Sequence, residues 1–278
     1  MSGRFLRRAG ACEIVRKLCT KAILEQNLIN DGDRILIAAS GGKDSTVMAW
    51  ALAGLRPAIK KNYELAALHI SSDFCACCKK TILSGQLAGW GIPFTDLFVP
   101  VIGRLKEGRR MNCYWCSTQR RTELLKYAVE GGYNKIALGH HLDDIIETFF
   151  MNLCARGELS TMPVRLSYRK YPVELIRPLA YLEEQQIISC AAEQDILKAV
   201  CTCPFGINSK RRDMRKKIAA FTGASGAVKR RILRAALSAE SLPQNTFTDF
   251  PAAEPFSINL TSPSASPRRP SQPAADRQ

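Results

Sequence analysis

Residues 40–45 of this chain, Ser-Gly-Gly-Lys-Asp-Ser, have the composition of a phosphate-binding loop. An apolar run at 34–39 precedes them and a helix-favouring run at 46–53 follows, so their backbone amides lie at the positive end of a helix dipole. Two glycines allow the backbone to close around an anion, and Lys43 adds a positive charge. The segment is not a Walker A loop, because that loop needs four residues between its first glycine and the Gly-Lys-Ser/Thr end.

Thiols form a second group of reactive side chains. Cys113 and Cys116 make a CxxC pair, and Cys201 and Cys203 follow later in the chain. Such pairs serve as zinc ligands, redox dithiols or iron–sulfur ligands. On spacing alone, a closed zinc site with four thiolates and an iron–sulfur cluster are equally favoured. The chain has 11 cysteines and no export signal, which favours metal binding or sulfur chemistry over a disulfide framework.

The charge of the chain favours a polyanionic partner. Lys and Arg number 40 against 25 acidic residues, a formal net charge of +15. Basic side chains that neutralise phosphates release counterions and give affinity without regard to sequence, so a nucleic acid is favoured over solubility alone. No apolar run reaches the roughly 18 residues that a membrane span needs, and we expect a cytoplasmic protein that binds no membrane.

A parallel sheet would bring these segments together. Apolar runs at 34–39, 64–70, 93–99, 135–138 and 173–176 predict five buried strands. These alternate with helices, which are predicted near 79–90, 117–130 and 143–154 in addition to the run at 46–53. This alternation predicts a doubly wound α/β fold, with ligands at the carboxyl ends of mainly parallel strands. Three segments should therefore lie along one rim of the sheet: 40–45, 69–73 and 139–144.

Four regions are predicted along the chain. Residues 1–30 form an N-terminal helical segment that precedes the core, and 31–222 form the α/β domain. Residues 223–241 form a basic C-terminal helix, so that basic helical elements flank the sheet at both ends. Residues 242–278, which are rich in Pro and Ser, form a disordered tail without a catalytic role.

The loop at 40–45 resembles the pyrophosphate loop of the PP-loop ATPases, which share an adenine nucleotide alpha-hydrolase-like fold. Those enzymes bind ATP, cleave it between the α and β phosphates, and leave an adenylated substrate. The resemblance implies that Lys43 offsets the charge of the pyrophosphate and that Asp44 lies near Mg²⁺. The residues that cradle pyrophosphate would be Ser40, Gly41, Gly42 and Ser45.

A more specific resemblance covers about residues 5–221. Five features occur in the order found in the tRNA 2-thiocytidine biosynthesis protein family: 40–45, the CxxC pair, 135–144, 176–181 and Cys203. In that family three cysteines hold a [4Fe–4S] cluster and leave one iron open to sulfide. ATP activates the C2 oxygen of a cytidine in the tRNA anticodon loop, and sulfur displaces AMP.

The same resemblance assigns individual residues. Cys113, Cys116 and Cys203 would be the cluster ligands; Cys201 is the alternative for the third, because this chain departs from the family's Cys-x-x-Cys-Gly there. Asp144 would act near the phosphates or Mg²⁺, and His69 would lie near the adenosine. For Asp143 a helix-capping role and a functional role are equally favoured.

Other thiols remain outside this assignment. Cys75, Cys77 and Cys78 have no counterpart in the family, and an incidental thiol group is favoured over a persulfide relay. The remaining cysteines, Cys12, Cys19, Cys154 and Cys190, are expected to be ordinary buried thiols.

The predicted activity is ATP-dependent tRNA 2-thiolation, with tRNA and a sulfur donor of the cysteine desulfurase type as partners; a homodimer is left open. Three alternatives remain. The enzyme could modify a uridine instead, it could be an amide- or lysidine-forming PP-loop ligase, or the chain could be a zinc-stabilised RNA-binding module. Iron with acid-labile sulfide would favour the thiolase, and stoichiometric zinc would favour the module.

Overall fold

The computed structural model describes residues 10–74, 80–168, 170–196 and 210–239. The strands in these ranges are β1 (Asp33–Ala38), β2 (Tyr63–Ser72), β3 (Phe94–Val99), β4 (Lys135–Ala137), β5 (Arg165–Ser167) and β6 (Glu174–Ile176). The helices are α1 (Ala11–Glu25), α2 (Lys43–Gly54), α3 (Arg56–Ile59), α4 (Lys80–Gly89), α5 (Cys113–Glu130), α6 (Leu142–Arg156), α7 (Glu184–Glu193), α8 (Lys210–Thr222) and α9 (Gly226–Ala239).

The strands form one sheet in the order β3-β2-β1-β4-β6-β5. Every neighbouring pair is parallel except β5 and β6, which are antiparallel. The doubly wound α/β class is therefore confirmed, but the predicted count of five strands is short by one. The missed strand is β5, a three-residue edge strand whose two outer residues are exposed, so it carries no apolar run to reveal it.

Helices cover both faces of the sheet, because alternate strand residues point to opposite sides. On one side Ile35 and Ile37 of β1 pack with apolar residues of α1, α2, α6 and α7. On the other side Leu36 packs with Leu124 and Leu125 of α5. A parallel sheet buried on both faces needs continuous apolar strands, and β1 and β2 supply them.

Helix α1 belongs to the core. Val15, Cys19 and Ile23 are buried, and they lie in the same apolar cluster as residues of α2 and α7. The prediction that this segment precedes the core is therefore wrong. The segment is helical as predicted, but its alternation of basic and apolar residues does not reveal what the apolar face covers.

The cysteines outside the CxxC pair are not all ordinary buried thiols. Cys12 of α1 and Cys190 of α7 form a disulfide, with Cα atoms 4.7 Å apart. Cys19 is buried, and burial raises the pKa of its thiol to about 12. Cys154, by contrast, is exposed. The expectation of ordinary buried thiols is wrong for Cys12, Cys190 and Cys154. Residue spacing reveals neither a disulfide partner far away in the sequence nor the exposure of a single thiol.

Helices α8 and α9 pack against α6 and contribute Ile218 and Leu233 to the core. Among the described helices, none is both long and apolar enough to span a membrane. The proline-rich segment 242–278 lies outside the described residues.

Candidate functional site

Three predicted segments meet at the carboxyl edge of the sheet, as expected. β1, β2 and β4 are neighbours, and segments 40–45, 69–73 and 139–144 lie at or just beyond their carboxyl ends. The chain after β4 runs directly against the start of α2: a Cβ added to Gly139 would lie 2.8 Å from the backbone nitrogen of Ser45. Only glycine allows the two backbones to approach so closely.

The loop between β1 and α2 is held in shape by its own polar groups. Gly41 has φ +78°, a left-handed conformation that glycine adopts without strain. Ser40 Oγ lies 3.0 Å from Ser45 Oγ, and Ser45 Oγ also donates to Gly42 O at 3.1 Å. Gly42 caps α2, so Lys43 is the first helical residue. The loop therefore presents the amino end of α2, which favours an anion.

Lys43 is half-buried between two acids. Its Nζ donates to Glu184 Oε1 at 2.8 Å and to Asp44 Oδ2 at 3.2 Å. Burial would lower the pKa of Lys43, but the hydrogen bond to Glu184 and the charges of Asp44 and Glu184 together raise it. Lys43 is therefore protonated at neutral pH, and it lies at the amino end of α2, directly beside the loop glycines.

The acids after β4 have different partners. Asp144 Oδ2 accepts from His141 N at 3.1 Å and thus caps α6. Asp143 accepts from Glu184 N at 2.7 Å and from Lys229 Nζ at 2.6 Å. Burial would raise the pKa of Asp143, but its bonds to Lys229 and to the Glu184 backbone lower it. The capping role considered for Asp143 thus falls to Asp144, whose predicted role near the phosphates stays a prediction.

His69 lies near the end of β2. Its Nδ1 is 2.7 Å from Ala39 O, and its Nε2 is buried without a hydrogen bond to the described part of the chain. Burial lowers the pKa of the imidazole, so it is neutral at pH 7. Leu68 and Ile70 face α5, and strand alternation places His69 on the α2 side of the sheet.

A cavity of about 260 Å³ lies beside the loop, between the sheet and α5. Ser40 and His140 line it at the sheet, and Arg120 and Arg121 line it from α5. Arg120 Nη2 donates to Ile70 O at 3.2 Å, which fixes this guanidinium at the end of β2. The remaining walls are mostly apolar, so the cavity suits a flat apolar ring next to an anion.

The CxxC pair occupies the first turn of α5, the helix that lines this cavity. Asn112 caps the helix by accepting from Trp115 N at 2.8 Å, so α5 begins at Cys113 rather than at the predicted residue 117. Cys113 is exposed and Cys116 is partly buried. Residues three apart lie on one face of a helix, so both thiols point to the same side.

Several predicted thiols cannot be placed. Cys201, Cys203 and the cluster of Cys75, Cys77 and Cys78 lie outside the described residues. Within the described ranges, no three Cys, His, Asp or Glu side chains are grouped closely enough to hold a metal. Two of the three predicted cluster ligands are thus described, and the assignment of the third remains a prediction.

Two residues of the site were missed by sequence reasoning. Arg120 belongs to no motif, but the helical spacing of Ser117, Arg120 and Leu124 is a signal that places it on the cavity side of α5. Glu184 gave no signal, because it meets Lys43 only through the packing of α7 against α2.

Known proteins resemble the chain in sequence and in fold. A family model described as the PP-loop domain matches residues 14–200. A tRNA-cytidine(32) 2-sulfurtransferase of Geobacter sulfurreducens is 34% identical over 80% of this chain and 88% of its own length. Its counterpart from Dichelobacter nodosus is 35% identical over 74% of this chain and 77% of its own length.

A solved structure shares the fold. The U34-tRNA thiolase NcsA from Methanococcus maripaludis, solved with its [4Fe–4S] cluster, superposes with a TM-score of 0.69 at 22% identity. The match covers 84% of this chain and 80% of that one. At this identity the likeness concerns the fold alone. The sequence matches, which span most of the chain and of its relatives, carry the assignment: the chain belongs to the PP-loop family and, within it, to the tRNA-cytidine(32) 2-sulfurtransferase family.

Proposed function

We propose that this protein uses ATP to adenylate the C2 oxygen of cytidine 32 in the anticodon loop of tRNA and replaces that oxygen with sulfur. The relatives that match most of the chain are named for this base, which favours cytidine over uridine. The observation that carries the proposal is the continuity of the site. One helix, α5, lines the cavity beside the phosphate loop and begins with the cysteine pair.

The loop and cavity suit an adenine nucleotide. The amino end of α2, the Ser40 and Ser45 hydroxyls and Lys43 would hold the phosphates, and the mostly apolar cavity would take the adenine. Arg120, fixed at the rim, adds a cation where charge develops as pyrophosphate leaves. His69, on the other face of the sheet, would serve the adenosine only through Ala39, whose carbonyl it contacts.

Carboxylates of the site fit Mg²⁺, which prefers oxygen ligands. Asp44 Oδ1 is buried and forms no hydrogen bond with the described residues, although Lys43 Nζ lies 3.2 Å away. We assign Asp44 to the metal that accompanies ATP, with Asp144 as a second carboxylate at the amino end of α6.

The cysteine pair suits an iron–sulfur cluster. Cys113 and Cys116 lie on one helix face at an exposed helix end, and the amino end of a helix stabilises thiolates. We assign Cys203 as the third ligand. These three thiolates would hold a [4Fe–4S] cluster, and such a cluster would supply an open coordination position for sulfide. Trp115, whose Nε1 donates to Val101 O at 3.0 Å, ties this helical turn to the segment that follows β3.

The direct test is the chemistry itself. Protein reconstituted with iron and sulfide without oxygen is incubated with tRNA, Mg·ATP and sulfide, and the nucleosides of the tRNA are analysed by mass spectrometry. We expect 2-thiocytidine, with AMP and pyrophosphate formed in equal amounts. Cells that lack the gene should lack the same nucleoside.

Other outcomes would contradict the proposal in distinct ways. Thiouridine in place of thiocytidine would leave the mechanism and change the base. AMP formation without any thiolated nucleoside would favour a ligase of the amide or lysidine type. Stoichiometric zinc without iron or turnover would favour an RNA-binding module.

A further inference from the structure

Glu184 contacts both α2 and α8, two helices that are far apart in the sequence. Its Oε1 accepts from Lys43 Nζ at 2.8 Å, and its Oε2 accepts from Arg215 Nη1 at 2.9 Å. Lys43 belongs to the phosphate loop, and Arg215 belongs to α8, the basic helix near the C-terminus. One carboxylate therefore contacts both the nucleotide loop and a basic helix.

The position of Glu184 is itself fixed. It is the first residue of α7, where the helix dipole favours a negative charge. Its backbone nitrogen donates to Asp143 Oδ2 at 2.7 Å, which ties the start of α7 to the start of α6. Burial would raise the pKa of Glu184, but the bond to Lys43 and the charges of Lys43 and Arg215 lower it, so the carboxylate is ionised.

Lys43 is oriented by this arrangement. An ammonium group has three N–H donors. Glu184 takes one of them and Asp44 takes another. With two donors directed to fixed carboxylates, the direction of the third is set by tetrahedral geometry. A flexible lysine side chain is thereby ordered before any phosphate binds, which reduces the entropy that binding must overcome.

Arg215 is held from two sides. It bonds to Glu184 and also to Glu147, a buried glutamate of α6. Glu147 is almost completely buried, and Arg215 supplies a positive charge beside its carboxylate. The guanidinium thus docks α8 onto α6 and α7 at the acids that surround the loop.

We propose that Glu184 is a positioning residue, which orients the ammonium of Lys43 for the phosphates and couples that orientation to the docking of α8 through Arg215. The proposal rests on the proposed function in one respect, since it takes ATP as the ligand of the loop. It adds that phosphate affinity depends on a basic helix that does not touch the nucleotide.

The test is a double-mutant cycle with a binding readout. The affinity of the full-length protein for the magnesium complex of α,β-methylene ATP, which cannot be cleaved between the α and β phosphates, is measured for Glu184→Gln, Arg215→Gln and the pair. We expect Glu184→Gln to weaken binding about tenfold and Arg215→Gln about threefold, as for the loss of charge-assisted hydrogen bonds. The double variant should bind no more weakly than Glu184→Gln, because both act through one carboxylate.

Two controls separate positioning from general damage. Lys217→Gln removes the same charge from an exposed position of α8 and should leave affinity unchanged. Arg215→Lys keeps a cation for Glu184 and should restore most of the affinity. The rate at which an amine-acylating reagent modifies Lys43, measured by peptide mass spectrometry against Lys60, should rise in Glu184→Gln, because the Nζ group loses the shorter of its two hydrogen bonds.

Each contrary result has a definite meaning. Wild-type affinity in Glu184→Gln, or an additive double variant, overturns the inference. Weaker binding in Glu184→Gln with unchanged acylation of Lys43 also overturns it, because the loss would then not pass through the lysine. A wild-type protein that binds no nucleotide contradicts the proposed function instead.

Discussion

Lys43 and Asp44 occupy the first turn of α2, where the loop amides and the helix dipole act on the same small volume. Their charges serve pyrophosphate and Mg²⁺ rather than iron. We expect Lys43→Ala and Asp44→Ala each to reduce AMP formation about 100-fold or more, as for the removal of a preorganised charge from a reacting site. Visible absorption of the cluster should persist.

The measurement is the formation of AMP and pyrophosphate by protein reconstituted without oxygen, with iron and sulfide content determined on the same samples. Lys60→Ala, which removes an exposed lysine from the turn before β2, is the matched control and should behave as wild type. Wild-type AMP formation in Lys43→Ala would refute the role given to the loop.

The three predicted thiolates can be separated from their neighbours by substitution. Cys113→Ala, Cys116→Ala and Cys203→Ala should each abolish both the broad visible absorption and thiolation, because each change removes one of only three proposed protein ligands. Cys201→Ala should keep the cluster, and so should Cys154→Ala, which removes an exposed thiol from α6.

Visible spectra and iron content of the five variants, prepared without oxygen, show whether Cys201 or Cys203 is the third ligand. Loss of the cluster in Cys201→Ala but not in Cys203→Ala would exchange the two assignments. Loss in both would indicate four thiolates, and a closed site of that kind leaves no iron for sulfide.

Helices α6, α7 and α9 are tied together by Asp143, which bonds to Glu184 N and Lys229. We expect Asp143→Asn to lower the free energy of unfolding by about 1–2 kcal/mol at pH 7, because a charge-assisted bond in a mostly buried site is lost. The folded-state pKa of Asp143 lies below its unfolded value, so this stabilisation is complete above the unfolded pKa of about 3.9. It disappears as the pH falls through the folded pKa.

Denaturant unfolding of wild type and Asp143→Asn between pH 3 and pH 7 measures the difference. The two curves should converge towards the acid end. Asp213→Asn, which changes an exposed acid of α8, should not shift stability by a comparable amount. A difference that stays constant down to pH 3 would mean that the carboxylate charge is not what holds these helices.

Helices and strands could be predicted from the sequence where they are long or where their apolar residues recur at regular spacing. Strands β1 to β4 and helices α2, α4 and α6 lie within a few residues of their predicted bounds, because apolar runs and a glycine turn mark them. Strand β5 was missed, since three residues with exposed ends carry no pattern. The start of α5 was placed four residues too late, because the capping bond of Asn112 was not recognised.

The candidate site was predictable where chemistry is local in sequence. The loop at 40–45 and the CxxC pair can be recognised from their residue types alone. Because β1 and β4 are neighbours in the sheet, segment 139–144 then lies beside the loop. Glu184 and Arg120 were not predictable in the same way. Their roles depend on the packing of one helix against another, and single residue types at unremarked positions do not encode that packing.

The basic charge of the whole molecule is not all available to tRNA. Arg215, Lys229 and Arg230 lie in the basic C-terminal region but pair with acids of α6 and α7. Arg212 and Lys216 of α8 are exposed. We therefore expect the basic side chains of α8 and α9 that do not pair with these acids, rather than the total charge, to set the affinity for RNA.

Neutralising Lys210, Arg211, Arg212 and Lys216 should weaken tRNA binding and flatten its dependence on salt. Each phosphate contact contributes about 0.7–0.9 to the slope of log affinity against log salt concentration, so the loss of several contacts is measurable. The control replaces Lys60 and Lys61, at the amino-terminal side of β2, with Gln. An unchanged slope in the first variant would show that these charges face only solvent.

Helix α1 is buried mainly by α7, which begins about 160 residues later in the chain. This has a consequence for synthesis on the ribosome. At about 5–20 residues per second, translation reaches α7 roughly 10 to 30 seconds after α1 has been made. Until then the apolar face of α1 lacks its main cover, so the N-terminal helix is among the first parts of the chain to be synthesised and among the last to be enclosed.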